Sequence, residues 1–215
     1  MCSSDLRESH VSEAATALRV STSSVGVIEY LSQYAVMDEG SDRKRFTDAF
    51  FATDHLAQRA ALRALYTADG TVANYGKKSQ YVSLDSTSIE LLQQVQLLLL
   101  NFGIKSKLYE NRRSEGHISA TLPDGHGGMK EYAVKQMHSL RVSRSSRVTF
   151  EREIGFLPES KKSAVLEHVN KSFGTYGDNM EDRIFSITPD GTEDVYDLTE
   201  PVSNHFVANG MVVHN

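Results

Sequence analysis

The sequence predicts an α+β fold, and three observations point to it. Helical spacing over residues 53–68 and again over 88–102 leads each time into a pair of alternating, strand-like runs. Gly70 and Gly103 stand where those helices should stop. Asn209-Gly210 lies between short apolar runs at 206–208 and 211–213, a strong two-residue hairpin signal near the end of the chain.

Taken in order, residues 1–45 are rich in Ser, Ala and charge, with a short apolar stretch at 25–31 and no core pattern. The organised part is expected to begin near Phe46. In the helix at 53–68, Leu56, Ala60, Leu62 and Leu65 fall near one stripe, and Thr53 or Asp54 can serve as N-cap. Strands follow at 71–75 and 80–84, joined by a Gly-Lys-Lys turn at 76–78. Asp85 or Ser86 is expected to cap the second helix, 88–102. Strands at 104–110 and near 130–142 are separated by a Gly-rich loop at 124–128, and helical stretches follow at 143–153 and 158–173. From Arg183 onward the pattern is short strands and turns. The expected division is a poorly defined 1–45, a domain at 46–155, a helical linker at 156–181 and a β segment at 182–215.

Composition narrows the classes. With 40% apolar and 24% charged residues among 215, the chain can bury a real core. No apolar run approaches the ~18 residues of a membrane span, so no membrane partner is expected. A single cysteine, Cys2, excludes an internal disulfide and a multi-cysteine metal site. The start, MCSSDLRESH, lacks the basic and apolar regions of a signal peptide, which predicts a cytoplasmic protein. The net charge of -5 is divided unevenly. Between Thr71 and Arg152 twelve Lys or Arg outnumber seven Asp or Glu, leaving eleven of the 23 basic and 21 of the 28 acidic residues for the flanks. Only the middle segment suits a phosphate backbone.

The chain ends VYDLTEPVSNHFVANGMVVHN. The side-chain amide of Asn215 can attack its own backbone carbonyl, forming a succinimide and breaking the bond to any following residue. Unassisted, the step is slow, because the amide is a poor nucleophile and the amine a poor leaving group. The adjacent imidazole of His214 can polarise that carbonyl or protonate the departing nitrogen. This segment resembles the two carboxy-terminal blocks of inteins: a hydrophobic-Tyr-Asp-Leu strand, a spacer, a Phe-Val-Ala-Asn-Gly turn, then Val-Val-His-Asn. The resemblance assigns Asn215 as the cyclising residue, His214 as its assistant and Asp197 as a supporting group at the splice junctions. Inteins of this kind often place a histidine where this chain has Asn204. His205 lies beside it, but on a strand the next residue points to the opposite face.

A second stretch, LRALYTADGTV at 62–72, brings Ala60 or Ala61, Ala64 and Ala68 to one helix face, bare enough for another helix to approach closely. Asp69 follows at the helix C-terminus, where the macrodipole disfavours an anion. A hard divalent cation would offset that cost and assist phosphodiester hydrolysis. The stretch resembles the LAGLIDADG motif of homing endonucleases, with Thr67 in place of the first acidic residue. ELLQQVQLLLLNFGIKSKLYENRR resembles the helix-then-strand block that closes such a repeat. The resemblance implies Asp69 as metal ligand, Mg²⁺ as cofactor and double-stranded DNA as partner. It also implies a sheet in the major groove, with Lys105, Lys107, Arg112 and Arg113 as DNA contacts and Lys105 or Lys107 as an active-site lysine.

Together these resemblances cover about residues 46–215. They imply a LAGLIDADG αββαββα half-domain followed by the carboxy-terminal β-strands of an intein (Hint) splicing domain. They are closest to inteins inserted in adenosylcobalamin-dependent ribonucleotide reductases, which implies a flanking host protein of that kind. The amino-terminal Cys or Ser junction and the Thr-x-x-His block of inteins do not appear, and one LAGLIDADG motif is visible where cutting both strands needs two. The expectation is a fragment, or one piece of a split intein, that needs an amino-terminal intein fragment. The alternatives are a LAGLIDADG-derived DNA-binding module that neither splices nor cuts, and a plain soluble α+β domain.

Overall fold

The computed structural model describes residues 9–14, 17–36, 38–113, 119–123, 128–181, 183–194, 196, 199, 201, 204–208 and 210–214. Upstream of Phe46, where the sequence shows no core pattern, the chain nonetheless forms elements. These are an antiparallel hairpin of β1 (Ser9–Ala14) and β2 (Ala17–Thr22), a helix α1 (Val25–Ser32) and a short pair, β3 (Ala35–Val36) with β4 (Arg45–Phe46). Phe46 stacks on Phe50 of the one-turn helix α2 (Asp48–Phe51), with ring centroids 4.1 Å apart.

The central domain runs α3 (His55–Asp69), β5 (Gly70–Asn74), β6 (Gln80–Ser86), α4 (Ile89–Leu100), β7 (Lys107–Tyr109), β8 (Ser119–Pro123), β9 (Met129–Ala133), β10 (His138–Ser143), α5 (Arg144–Glu153) and α6 (Lys161–Ser172). Of the two N-cap candidates for α3, Asp54 takes the role, accepting from the Ala57 amide at 2.7 Å. The buried stripe of α3 is Gln58, Leu62 and Tyr66, at i, i+4 and i+8. Leu56, expected inside, is 71% exposed, and Ala60 is exposed as well. Neither Asp85 nor Ser86 caps α4, because β6 continues through Ser86. Ser88 caps it instead, accepting from the Leu91 amide at 3.1 Å. At the other end Gly103, at φ +68, lets the Ile104 amide fold back onto the Leu99 carbonyl at 3.0 Å.

Strands β5, β6, β10 and β7 form one antiparallel sheet in the order β5-β6-β10-β7. The sequence stretch near 130–142 therefore holds two strands with different fates. Only β10 joins the sheet, while β9 pairs with β8 in an outlying hairpin whose β9 residues are all exposed. The Gly-rich loop at 124–128 falls mostly outside the described residues.

Period-two alternation gives the sheet one apolar face. Val72, Val82 and Val142 form one cross-strand row and Leu84, Leu140 and Leu108 the next. They pack with Leu92, Val95, Leu98 and Leu99 of α4, Leu62 and Tyr66 of α3, and Phe150 of α5. The N-terminus of α5 is capped from afar: the Ser146 amide donates to the Asp178 carboxylate at 2.8 Å, and the Ser145 amide to the Tyr176 carbonyl at 2.9 Å. These bonds tie the chain beyond α6 to the end of the sheet. The last elements, β11 (His205–Ala208) and β12 (Met211–His214), pair as an antiparallel hairpin, each one residue longer than the sequence pattern suggests. Short strands expected from Arg183 to residue 204 do not appear among the described residues. None of the described helices is long and apolar enough to cross a membrane.

Candidate nucleic-acid interface and motif helix

The second face of the sheet is polar. Its cross-strand rows are Ala73–Tyr81–Ser143, Thr71–Ser83–Arg141–Lys107 and Asp85–Ser139–Tyr109. Arg141 sits at the centre, its guanidinium carbon 4.4 Å from the Tyr81 ring centroid and 4.7 Å from that of Tyr109. Lys107 and Arg112 also approach the Tyr109 ring, at 5.3 and 5.7 Å. Lys107 stands directly opposite Arg141 in the register, a like-charge pair that destabilises a sheet unless an anion covers it. Among the described residues no carboxylate forms an ion pair with Arg141, Lys107 or Arg112. A half-buried platform of aromatic faces, with cations that have no carboxylate partner among the described residues, suits phosphates and base edges.

Of the four basic residues singled out in the sequence, Lys107 and Arg112 belong to this cluster. Lys105 precedes β7, and its ammonium donates to the Asn179 carbonyl at 2.5 Å. The backbone of Arg113 is held by the Gln136 side chain on both its N–H and C=O. Arg141, Tyr81 and Tyr109 went unnoticed in the sequence because they are far apart along the chain. Alternation along each strand was visible, but the pairing that stacks them was not.

Beyond the Tyr81 end of the platform lies a cleft of about 620 Å³ lined by Lys77, Lys78, Arg144 and Arg147. Arg147 is only 2% exposed, and its Nε donates to the Asn170 carbonyl oxygen at 2.5 Å. Burial lowers its pKa from the ordinary value, with the Glu151 charge opposing.

The motif helix ends as its sequence suggests, with Asp69 exposed at the last position of α3. Gly70 is required there for space, since its own φ of -72° suits any residue. A Cβ on Gly70 would lie 2.5 Å from the Tyr66 carbonyl oxygen. Gly70→Ala is therefore expected to cost about 1–3 kcal/mol of stability, read by urea denaturation. An unchanged midpoint would mean that the turn relaxes freely. Ala60, Ala64 and Ala68 are all exposed, so the small-residue face is open. Lys162 of α6 donates to the Thr67 and Ala68 carbonyls at 2.7 and 3.2 Å. Burial lowers its pKa from the ordinary value, while the nearby Asp69 charge acts against that shift.

The donors at this end are hard oxygens, one carboxylate and the last carbonyls of a helix, of the kind that bind Mg²⁺. Among the described residues no cluster of three or more His, Cys, Asp or Glu surrounds them.

In the terminal hairpin, His205 pairs with His214 and Ala208 with Met211. Gly210 has φ +78, as a tight two-residue connection requires, and a Cβ there would meet Leu97 and Leu100 of α4 at 3.1 and 3.2 Å. Asn204 is exposed, has φ 56 and precedes β11, so strand alternation does not govern it. Asn and His are among the residues that tolerate this left-handed conformation. Asp197 and Asn215 lie outside the described residues.

The family model of the LAGLIDADG-like domain matches residues 57–155. Ribonucleoside-diphosphate reductase NrdEB subunit alpha of Bacillus subtilis is 33% identical over 177 residues, covering 80% of this chain and 16% of that protein. A DNA polymerase of Thermococcus hydrothermalis is 29% identical over 203 residues, 91% of this chain and 11% of the polymerase. The replicative DNA helicase DnaB of Rhodothermus marinus is 28% identical over 184 residues, 85% of this chain and 16% of the helicase. The chain spans 16% or less of the length of these curated relatives. With its motif helix, paired strands, second helix, further strands and closing helix, the stretch 57–155 of this chain is a LAGLIDADG-like domain.

Proposed function

We propose that this chain is the carboxy-terminal segment of an intein, in which a LAGLIDADG-type DNA endonuclease domain precedes the last strands of a Hint splicing domain. The observation behind this reading is that one stretch of about 200 residues resembles parts of a reductase, a polymerase and a helicase. Those three activities need no common part, so a segment similar in all of them behaves as an insert. The end of the chain supplies the splicing chemistry. Asn215 attacks its own carbonyl, His214 protonates the departing nitrogen, and Asp197, Asn204 and His205 support the junction. The hairpin register that pairs His205 with His214 supports this arrangement. Ile184, Phe185, Ile187, Tyr196, Met211 and Val212 are strongly exposed, as expected of a segment awaiting an apolar partner. That partner is the amino-terminal intein segment, and the flanking host is a protein such as a ribonucleotide reductase. The reading is tested by adding a host residue after Asn215 and supplying the amino-terminal splicing segment. Mass spectrometry should find a succinimide, or its hydrolysis product, at the new C-terminus. An intact junction would overturn it.

The central domain binds duplex DNA through the Tyr81–Arg141–Tyr109 face, and Asp69 takes up Mg²⁺ for phosphodiester hydrolysis. When bound, the metal activates water or stabilises the leaving oxygen. A second copy meeting the Ala60–Ala64–Ala68 face would supply the second carboxylate. Duplex affinity should fall steeply as salt rises, and Arg141→Ala should weaken it about tenfold and lower the salt slope by roughly one, read by fluorescence anisotropy. Salt-insensitive binding would count against the interface.

A further inference from the structure

Two helices meet at Asp69 with charges of the wrong sign at their ends. Helix α3 ends in an aspartate and has no basic residue in its last turn. Helix α6 opens on Lys161 and Lys162 and has no acidic residue in its first turn. Each arrangement opposes its own helix dipole. The side chain of Lys162 resolves both, because its ammonium leaves α6 and binds the Thr67 and Ala68 carbonyls at the end of α3. Two of its three N–H donors are used there, which places the ammonium beside Asp69, the residue that follows Ala68, without a direct ion pair to its carboxylate.

We propose that Lys162 is a built-in counter-cation of Asp69 that sets how tightly the end of α3 binds a divalent metal ion. This rests on reading Asp69 as a metal ligand. The Thr67 and Ala68 carbonyls, which would attract a hard cation, already hold one supplied by the chain itself, next to Asp69. A divalent ion at Asp69 must displace the ammonium or bind beside it. Charges of +1 and +2 about 6 Å apart repel enough, even at the dielectric of water, to weaken binding about tenfold. The end of α3 does not depend on Lys162 for its position. The Thr67 hydroxyl donates to the Arg63 carbonyl at 2.6 Å and accepts from the Leu157 amide at 3.0 Å. The Gly70 amide is bonded to the Tyr66 carbonyl.

The test is Mn²⁺ binding to the full chain, followed by electron paramagnetic resonance without DNA. Wild type is compared with Lys162→Met, Lys162→Gln and each of these combined with Asp69→Asn, with circular dichroism confirming the fold. Lys162→Gln keeps a hydrogen-bond donor and loses the charge, so it serves if Lys162→Met fails to fold. Both uncharged variants should bind Mn²⁺ at least about tenfold more tightly than wild type. Adding Asp69→Asn should remove that gain. Equal or weaker binding in the uncharged variants, with Asp69→Asn still weakening wild type, would overturn the role of Lys162 and leave Asp69 a ligand. If Asp69→Asn changed nothing in any background, or no variant bound Mn²⁺, the reading of Asp69 itself would fall and this inference with it.

Discussion

Asn215→Ala is expected to abolish cleavage at the carboxy-terminal junction, in a chain extended by a host residue and supplied with its amino-terminal splicing segment. Alanine has no amide nitrogen to attack the scissile carbonyl, and no neighbouring group stands in the same five-membered-ring relation to that bond. His214→Ala should slow the step by about 10²–10⁴-fold, the range that general acid–base assistance by one imidazole supplies. The two variants separate the roles: the first removes the reaction, while the second leaves a slow remnant with the same succinimide product. Mass spectrometry of the released pieces over time reads both. Release from the Asn215→Ala protein at the parental rate would refute the assignment of the terminal segment.

Asp69→Asn is expected to remove metal-dependent DNA cleavage while changing duplex affinity by less than about threefold. The amide keeps the shape of the side chain and loses the charge that attracts Mg²⁺. Binding is spared because Asp69 ends α3, whereas the proposed DNA contacts Arg141, Tyr81, Tyr109 and Lys107 lie on the open face of the sheet. A nicking assay on plasmid DNA across a Mg²⁺ titration, run beside anisotropy on the same preparations, distinguishes the two losses. Cleavage that survives in Asp69→Asn would show that the ligand lies elsewhere. Parallel loss of binding would show that the end of α3 contacts the duplex directly.

The sequence by itself determined the local events. Apolar spacing, an Asp N-cap and glycines at the right places specified α3 and α4. Alternation specified β5 and β6, and Asn-Gly marked the terminal hairpin. Each depends on residues within one or two turns of one another, so period and capping chemistry are enough. The proposed metal ligand Asp69 and the proposed junction residues His214 and Asn215 rest on local motifs of the same kind. What only the tertiary structure decided depends on contacts between distant segments. Which half of 130–142 joined the sheet was settled by the pairing of β10 with both β6 and β7, and β9 was left outside. Leu56 was apolar and correctly spaced, yet it faces solvent because the core takes the Gln58–Leu62–Tyr66 stripe. Arg141 became the centre of the candidate interface only when register set it between Tyr81 and Tyr109. Lys162, 93 residues beyond Asp69 in the numbering, reached the motif only because α6 packs beside the end of α3. Local propensity specifies where a helix or strand begins and ends, but the partner of a charge is set by how the elements pack.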